Sequence, residues 1–266
     1  MLSDQEFRMV LDYFNRPWKG YRKVRKGIKK RIRRHMQAVG CSRVQEYLSI
    51  LSNDENHRRE AASCLLVTIS RFFRDRRVWD CLGGTVLPEL VTVSPERVRV
   101  WSAGCACGEE AYSLSILWHG SGLQRDTRLH ILGTDVNPVC LERARMGRYG
   151  KSSLKAVDEP TLQRCFKKVP GSRQYEIRDC VKAPIRWQLH ELFSPMCSGP
   201  FHIILLRNNL LTYHRGKELA DGFGLILERI LPGGYLVIGA HERIPTGGDT
   251  ALEQMPDAPC IYRYVP

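Results

Sequence analysis

The chain opens with amphipathic segments whose apolar positions recur at helical spacing. Apolar residues from Phe7 to Phe14 follow this spacing, and Ser3 with Glu6 three residues later forms the capping-box pattern that begins a helix. Within Gly20–Gln37 an apolar residue stands at every fourth position, at Val24, Ile28, Ile32 and Met36. That spacing predicts a helix with one packed stripe. Further helices are predicted over residues 42–51 and 54–69.

After Gly83-Gly84 the pattern changes to short apolar, β-rich runs that alternate with helical segments. Strands are predicted over 98–101, 130–135, 201–206 and 235–239. Helices are predicted over 109–119, over about ten residues from Pro138, and over 216–231. This alternation predicts an open α/β fold, with a mostly parallel sheet and helices on both faces. The runs Ser172–Arg178 and Ile185–Leu189 favour a small antiparallel excursion.

The change of pattern also predicts the domain organisation. We assign residues 1–84 to an all-helical N-terminal domain and its linker, and residues 85–266 to an α/β domain with a β-subdomain insertion at about 165–190. The formal net charge of +13 is unevenly spread, since residues 1–80 carry +10 and the rest only +3. Nine basic residues and no acidic one fall within Gly20–Gln37, which predicts attraction to an acidic partner.

Composition excludes several classes of protein. No apolar window is long enough to span a membrane, and the first residues lack the apolar core of an export signal. The ten cysteines, Cys197 among them, form no CxxC pair, so we expect reduced thiols, no zinc ribbon and a cytoplasmic location. The eight histidines form no pair at ligand spacing in the sequence, which predicts no metal site.

The strongest chemical signal is the turn that follows the first predicted strand. Gly104 and Gly108 allow the backbone to approach a ligand closely, and the turn lies where doubly wound sheets bind nucleotides. The dinucleotide pattern GxGxxG and the phosphate-loop Gly-Lys-Ser/Thr are both absent. Instead Glu109 and Glu110 open the helix. Carboxylates there would repel a pyrophosphate and would attract a cationic ligand such as S-adenosylmethionine.

An acidic residue at the tip of the second strand supports the same ligand. Asp135 ends the run Ile131–Asp135, in the position from which a carboxylate accepts hydrogen bonds from both hydroxyls of a ribose. The glycine turn and Asp135 together predict a site for an adenosine-bearing sulfonium donor.

At this point the residues resemble those of the chemotaxis receptor methyltransferases (CheR), which esterify glutamates on receptor helices. The resemblance runs over nearly the whole chain, as a series of motifs in the family's order. They are the basic residues Lys26 and Arg31–Arg34, then Ser70–Asp75, Trp101–Ser113, Gly133–Asn137, Gly147–Tyr149, Leu206–Leu210 and Pro232–Gly239. The resemblance implies a Rossmann-like fold for S-adenosylmethionine-dependent methyl transfer, with an N-terminal helical domain and a small antiparallel β-subdomain.

The resemblance also implies roles for single residues. It places Ser70 and Arg74 at the methionine end of the cofactor or at the target carboxylate, Glu110 on the methionine amino group and Asp135 on the ribose. Around the adenine and the transfer cleft it places Glu191, Leu192, Leu206 and Arg207. Residues 165–187 correspond to the subdomain that docks a receptor tether in some members.

The sequence departs from the family pattern close to the expected substrate. Thr68 and Ser70 stand where the family has Asn and Thr, and they also belong to the implied cofactor site. Glu191 replaces an Asn. The family's active-site tyrosine is Thr212 here, with Tyr213 one position later, so the implied catalytic set is Arg74, Thr212 and Tyr213. We interpret these departures as a change of substrate more than a loss of cofactor.

Three functions follow as alternatives. The first is methylation of glutamate carboxylates on a chemoreceptor or a related acidic helix, with the helix Gly20–Gln37 as the docking surface. The second is methylation of RNA or another substrate by the same fold, although the chain lacks the Pro-Pro-aromatic motif typical of amino-methylating nucleic-acid enzymes. The third is a non-catalytic sensor that retains the cofactor pocket.

Overall fold

The computed structural model describes residues 2–123, 127–195, 198–245, 247 and 251–266, and the tenth cysteine, Cys197, lies outside them. The chain forms two compact units. The first combines Met1–Val67 with Leu211–Leu219, and the second combines Thr68–Leu210 with Ala220–Pro266. The N-terminal stretch of the first unit ends at Val67, whereas the sequence suggests a boundary near residue 84. Among the described residues, no helix is both long and apolar enough to cross a membrane.

The first unit is helical, as predicted. Its helices are α1 (Asp4–Tyr13), α2 (Trp18–Tyr21), α3 (Arg25–Ala38), α4 (Val44–Asn53) and α5 (Glu55–Cys64). The capping box is confirmed, because Ser3 Oγ accepts the Glu6 amide while Glu6 accepts the Ser3 amide. The stripe Ile28, Ile32 and Met36 is fully buried in the core of this unit.

Two of the predicted helices have wrong bounds. The run Gly20–Gln37 is not one helix, because it includes the end of α2, a turn and most of α3. The helix predicted over residues 54–69 corresponds to α5, which ends at Cys64. There Arg31 donates to the carbonyls of Cys64 and Leu66. These side-chain donors satisfy carbonyls that a continuing helix would otherwise use.

The second unit is built on a seven-stranded sheet. Its strands are β1 (Arg97–Ala103), β2 (Arg128–Asp135), β6 (Ile185–Leu189), β7 (Phe201–Leu206), β8 (Ile230–Ile238), β9 (Leu252–Met255) and β10 (Ala258–Tyr264). The spatial order is β6-β2-β1-β7-β8-β10-β9. The first five strands in this order pair in parallel, and β10 pairs antiparallel with both of its neighbours, β8 and β9. This open, mostly parallel sheet confirms the predicted fold class.

Helices precede and connect these strands. They are α6 (Arg76–Cys81), a π-helical turn (Leu82–Val86), α7 (Leu87–Val93), α8 (Glu109–Ser121), α9 (Pro138–Met146), α10 (Glu159–Cys165) and α11 (Asp179–Lys182), with α12 (Leu210–Tyr213) and α13 (Gly216–Leu227) later in the chain. Gly83-Gly84 therefore lies inside a continuous helical segment and is not a linker. The predicted helix 216–231 ends at Leu227, because the chain from Ile230 already pairs beside β7.

A small antiparallel sheet stands apart from the main one, as predicted, but with different members. It consists of β3 (Arg148–Gly150), β5 (Gln174–Ile177) and β4 (Phe166–Lys168), in the order β3-β5-β4. The assignment of Ile185–Leu189 to this excursion is wrong, because β6 pairs in parallel with β2 and forms an edge of the main sheet.

The strand order places the site. β1 lies between β2 and β7, and the chain runs outward from β1 first in one direction and later in the other. Such a reversal of strand order is the point where open α/β sheets bind ligands, at the carboxyl ends of their strands. The loops that follow β1, β2 and β7 therefore border the expected crevice.

Candidate cofactor site

The loop after β1 is a tight turn with several residues in left-handed conformations. Gly104 (φ 74°), Ala106 (φ 49°) and Gly108 (φ 89°) all have positive φ. The amides of Gly104 and Cys105 both donate to the carbonyl of Thr134, at 2.9 and 2.8 Å. These bonds fix the loop against the end of β2 before α8 begins at Glu109.

Two glycines of this loop are required by close neighbours as well as by φ. A Cβ on Gly104 would lie 1.9 Å from Asn209 Nδ2, and a Cβ on Gly108 would lie 2.8 Å from the Trp187 ring. The side-chain Nδ2 of Asn209 in turn donates to the Ala103 carbonyl. The glycine pattern thus reflects packing of the loop against side chains from β6 and from the loop after β7.

Asp135 ties the ends of β1 and β2 together. Its Oδ2 accepts the Ala106 amide at 2.8 Å, and its Oδ1 accepts the Asn137 amide at 2.8 Å. Burial raises the pKa of Asp135, and these two amide donors oppose that rise. The carboxylate remains half-buried at the strand tip, and each oxygen accepts one of these bonds while offering two acceptor sites.

Glu110, in the first turn of α8, belongs to a buried ionic network. Ser102 Oγ donates to its Oε1 at 3.1 Å, and Arg207 Nη1 donates to its Oε2 at 3.2 Å. The Arg207 side chain is only 3% exposed, and its Nη2 also donates to Asp75 at 2.7 Å and to the Arg74 carbonyl at 2.9 Å. Burial raises the pKa of Glu110, and Arg207 opposes this rise. Arg207 therefore fixes Glu110 relative to the segment 74–75.

The segment before α6 has an unusual backbone that this network holds in place. Phe73 (φ 49°) and Asp75 (φ 62°) are non-glycine residues in the left-handed region, where strain of about 1–3 kcal/mol each is usual. Ser113 Oγ accepts the Phe73 amide, and Trp79 Nε1 donates to the Arg74 carbonyl. The Arg74 backbone is thus fixed. Its side chain is exposed, and the described residues offer its guanidinium no hydrogen bond or ion pair.

The other sequence-predicted residues are placed as follows. Thr68 and Ser70 are half-buried in the stretch that precedes Arg74, and Leu206 is fully buried at the end of β7. Glu191 is exposed and Leu192 half-buried, just after His190, whose amide donates to the Asp135 carbonyl.

Thr212 and Tyr213 belong to the first unit. There the Tyr213 ring lies 5.0 Å from that of Tyr21, between ring centroids. Their assignment to catalysis stays a prediction.

Sequence reasoning missed the partners that hold these residues. Asp75 was visible as the acid next to Arg74, but nothing in the sequence pairs it with Arg207. Glu109 is 4% exposed, its Oε1 accepts from Ser153 Oγ, and its Oε2 has no hydrogen-bond partner among the described residues. Burial raises the pKa of Glu109. The one sequence signal for this buried carboxyl was the pair of acidic residues Glu109 and Glu110 at the start of α8.

The donor set fits S-adenosylmethionine. Glu110 offers a negative carboxylate for an ammonium, and Asp135 offers acceptors for a ribose diol at the tip of the neighbouring strand. No lysine, arginine or phosphate-binding glycine pattern occurs in residues 104–110, which would be needed to hold a pyrophosphate instead. Cys105 and Cys107 are buried free thiols within the turn, as the expectation of reduced thiols requires.

Comparison with known proteins gives a consistent result. The CheR methyltransferase SAM-binding domain matches residues 68–259. A chemotaxis protein methyltransferase of Listeria monocytogenes is 32% identical over 207 residues, which is 78% of this chain and 77% of that protein. A probable chemotaxis protein methyltransferase of Rhizobium etli is 31% identical over 226 residues, with 80% and 82% of the two chains covered. Chemotaxis protein methyltransferase 1 of Pseudomonas aeruginosa is 27% identical over 238 residues, with 86% and 83% covered.

Proposed function

Because the chain belongs to the CheR methyltransferase family, we propose that this S-adenosylmethionine-dependent enzyme methylates glutamate carboxylates on helices of a chemoreceptor. The observation that carries the proposal is the exposed guanidinium of Arg74, which has no partner among the described residues and lies beside the buried network of Glu110 and Arg207. A planar guanidinium with a fixed backbone is suited to hold a carboxylate by two parallel hydrogen bonds. The described cysteines are free thiols, which a reducing compartment such as the cytoplasm favours.

The chemistry requires positioning rather than a base. A glutamate has an unperturbed pKa of about 4.3, so the attacking oxygen is already ionised near neutral pH. When bound, S-adenosylmethionine would supply a methyl group on a sulfonium, which the carboxylate oxygen would accept while the carbon–sulfur bond electrons remain on the departing thioether. Glu110 and Asp135 would hold the donor's two ends, while Arg74 would orient the carboxylate. Orientation of this kind contributes roughly 7–11 kcal/mol to barrier reduction when the geometry is good.

A labelled-methyl assay tests the reaction. Purified protein is incubated with methyl-labelled S-adenosylmethionine and a lysate of the same organism, which contains both its chemoreceptor membranes and its RNA. We expect label in protein that mild alkali releases as methanol, because carboxyl methyl esters are hydrolysed by base. Alkali-stable label in RNA would contradict the proposal in favour of a nucleic-acid substrate, and bound donor without any product would contradict it in favour of a sensor.

Arg74→Ala is expected to lower the rate of this transfer at least tenfold, because the carboxylate is no longer oriented. A rise of ~1.4 kcal/mol in the activation free energy already gives a factor of ten. The matched control is Arg71→Ala, because Arg71 is an exposed arginine of the same segment that no contact places in the network. Initial rates at saturating donor measure the effect. Equal rates for the two variants would remove Arg74 from the reaction.

The basic face of α3 is the proposed docking surface for the substrate helix. Lys26, Lys30 and Arg34 recur every fourth residue, are exposed, and have no acidic partner among the described residues. They are offset by two positions from the buried stripe of Ile28 and Ile32, which places them on the opposite side of the helix. Neighbouring basic residues are used internally, as Arg25 forms an ion pair with Asp4. The remaining stripe is a cationic surface suited to an acidic helix.

Charge reversal of Lys26, Lys30 and Arg34 to Glu is expected to raise KM for the protein substrate roughly tenfold or more while kcat changes little, because the stripe acts on encounter and not on chemistry. The matched control reverses Arg43, Arg58 and Arg59, exposed arginines of the same unit that pair with neighbouring acids. An equal rise of KM in both variants would show a general charge effect and reject the stripe as a specific surface.

A further inference from the structure

Two histidines and a glutamate from separate helices converge in the first unit. His35 lies in α3, whereas His57 and Glu60 lie in α5. One side-chain ligand atom from each of the three lies within 4.8 Å of the others. His35 Nε2 is 3.0 Å from Glu60 Oε2, and His57 Nδ1 is 3.7 Å from the same oxygen. The sequence-based expectation of no metal site rested on spacing, and the packing of α3 against α5 brings together residues that spacing keeps apart.

The local structure explains this convergence. His57 and Glu60 are three residues apart in α5, so their side chains share one face of that helix. His35 precedes the buried Met36 in α3, and its side chain is only 10% exposed. The two imidazole rings lie 6.0 Å apart, centroid to centroid, with the Glu60 carboxylate beside both.

An ion pair between His35 and Glu60 does not account for the whole cluster. His57 Nδ1 is a buried atom without a hydrogen-bond partner among the described residues, since 3.7 Å to Glu60 is too long for a hydrogen bond. A buried polar atom left in this way costs about 1–3 kcal/mol unless another partner is present. The unpartnered nitrogen of His57, next to a second imidazole and a carboxylate, indicates that the cluster binds a ligand.

We propose that His35 Nε2, His57 Nδ1 and a carboxylate oxygen of Glu60 bind one Zn²⁺ ion, with a fourth position open to water. Zinc bonds of roughly 2.0–2.2 Å to nitrogen and oxygen place neighbouring ligand atoms about 3.3–3.5 Å apart in a tetrahedral site. The distances of 3.0 and 3.7 Å from Glu60 bracket that value, and the ligand atoms of all three residues lie within 4.8 Å of one another, so side-chain rotations would complete the site. Two imidazoles and a carboxylate favour Zn²⁺ over the oxygen-seeking Mg²⁺ and Ca²⁺.

The second nitrogen of His35 has a partner that would orient the ring. His35 Nδ1 lies 2.8 Å from the hydroxyl of the buried Tyr47. A partner of this kind sets the tautomer that presents the other nitrogen to a metal. A bound ion would join α3 to α5, and therefore fix the helix that carries the cationic stripe.

Metal titration of the full chain, purified without a histidine tag, tests the site. We expect calorimetry to show one Zn²⁺ per chain, and Co²⁺ as a probe to give the visible absorption of a four- or five-coordinate ion. His57→Gln and Glu60→Gln are expected to weaken Zn²⁺ binding roughly tenfold or more. His119→Gln and Glu55→Gln are the controls, because they change the same residue types outside the cluster and should leave binding unchanged.

The variants separate loss of ligand from loss of fold. The His57 and Glu60 side chains are 37% and 63% exposed, so replacing either by glutamine leaves the core of the unit intact. Circular dichroism of the metal-free variants checks this directly, and excess Zn²⁺ should raise Tm for the wild type and the controls only. Absence of saturable Zn²⁺ binding, or equal binding by the cluster and control variants, would overturn the proposal.

Discussion

Asp135→Ala is expected to weaken binding of S-adenosylhomocysteine, the demethylated product, about a hundredfold. The substitution removes the acceptors proposed for the ribose hydroxyls, and hydrogen bonds to a charged group contribute about 1.5–3 kcal/mol each. A loss of ~3 kcal/mol corresponds to roughly a hundredfold in Kd. It also leaves the Ala106 and Asn137 amides without their present acceptor, so the loop after β1 loses one of its anchors to β2 and retains the bonds to the Thr134 carbonyl.

Calorimetric titration measures this effect, with Asp179→Ala as the matched control. Asp179 opens the short helix α11, and its side chain is 91% exposed, so we expect the control to bind as the wild type does. A Kd for Asp135→Ala within about threefold of the wild type would reject Asp135 as the ribose acceptor, since that difference is well below one charged hydrogen bond.

Arg207→Met is expected to destabilise the second unit by about 3–5 kcal/mol, the usual cost of removing one partner from a buried ion pair. The substitution retains an apolar side chain of similar length but leaves Glu110 and Asp75 without their shared cation and the Arg74 carbonyl without one of its two donors. At about 2–4 °C per kcal/mol for a unit of this size, Tm should fall by at least about 6 °C.

Thermal unfolding followed by circular dichroism measures the loss. Arg173→Met is the control, because Arg173 is exposed in the turn before β5 and exposed substitutions usually change stability by less than about 0.5 kcal/mol. Methyl transfer should also fall in Arg207→Met below its unfolding temperature, because Glu110 and the segment 74–75 lose their fixed separation. Equal melting temperatures for the two variants would show that the network is not a structural element.

Elements with strong local signals were predictable from the sequence. The strand Phe201–Leu206 is apolar except for His202 and has the predicted bounds, and Ser3 with Glu6 forms the predicted capping box. The glycine turn and Asp135 were also visible, because a nucleotide-binding α/β unit keeps its loop and its acid within one short stretch of sequence.

Elements that depend on strand pairing or on distant partners were not predictable from the sequence. Ile185–Leu189 reads as a strand in either sheet, and only its register with β2 assigns it to the main one. Gly83 and Gly84 are typical breakers, yet they lie in a continuous helical segment whose π-helical turn passes through them.

The same limit applies to the sites. Arg207 reaches Asp75 across more than a hundred positions of sequence. His35 meets His57 only because α3 packs on α5. Local pattern carries no record of such contacts, whereas the resemblance to CheR enzymes carries only those that the family shares.

The central claim is that the loop after β1 and Asp135 together bind an adenosine-bearing sulfonium donor, and one titration tests it most directly. Wild-type protein is titrated with S-adenosylhomocysteine by isothermal calorimetry at two temperatures, so that a binding enthalpy near zero at one of them cannot hide the reaction. We predict a saturable signal with one site per chain that S-adenosylmethionine competes for. No saturable heat at either temperature would contradict the account.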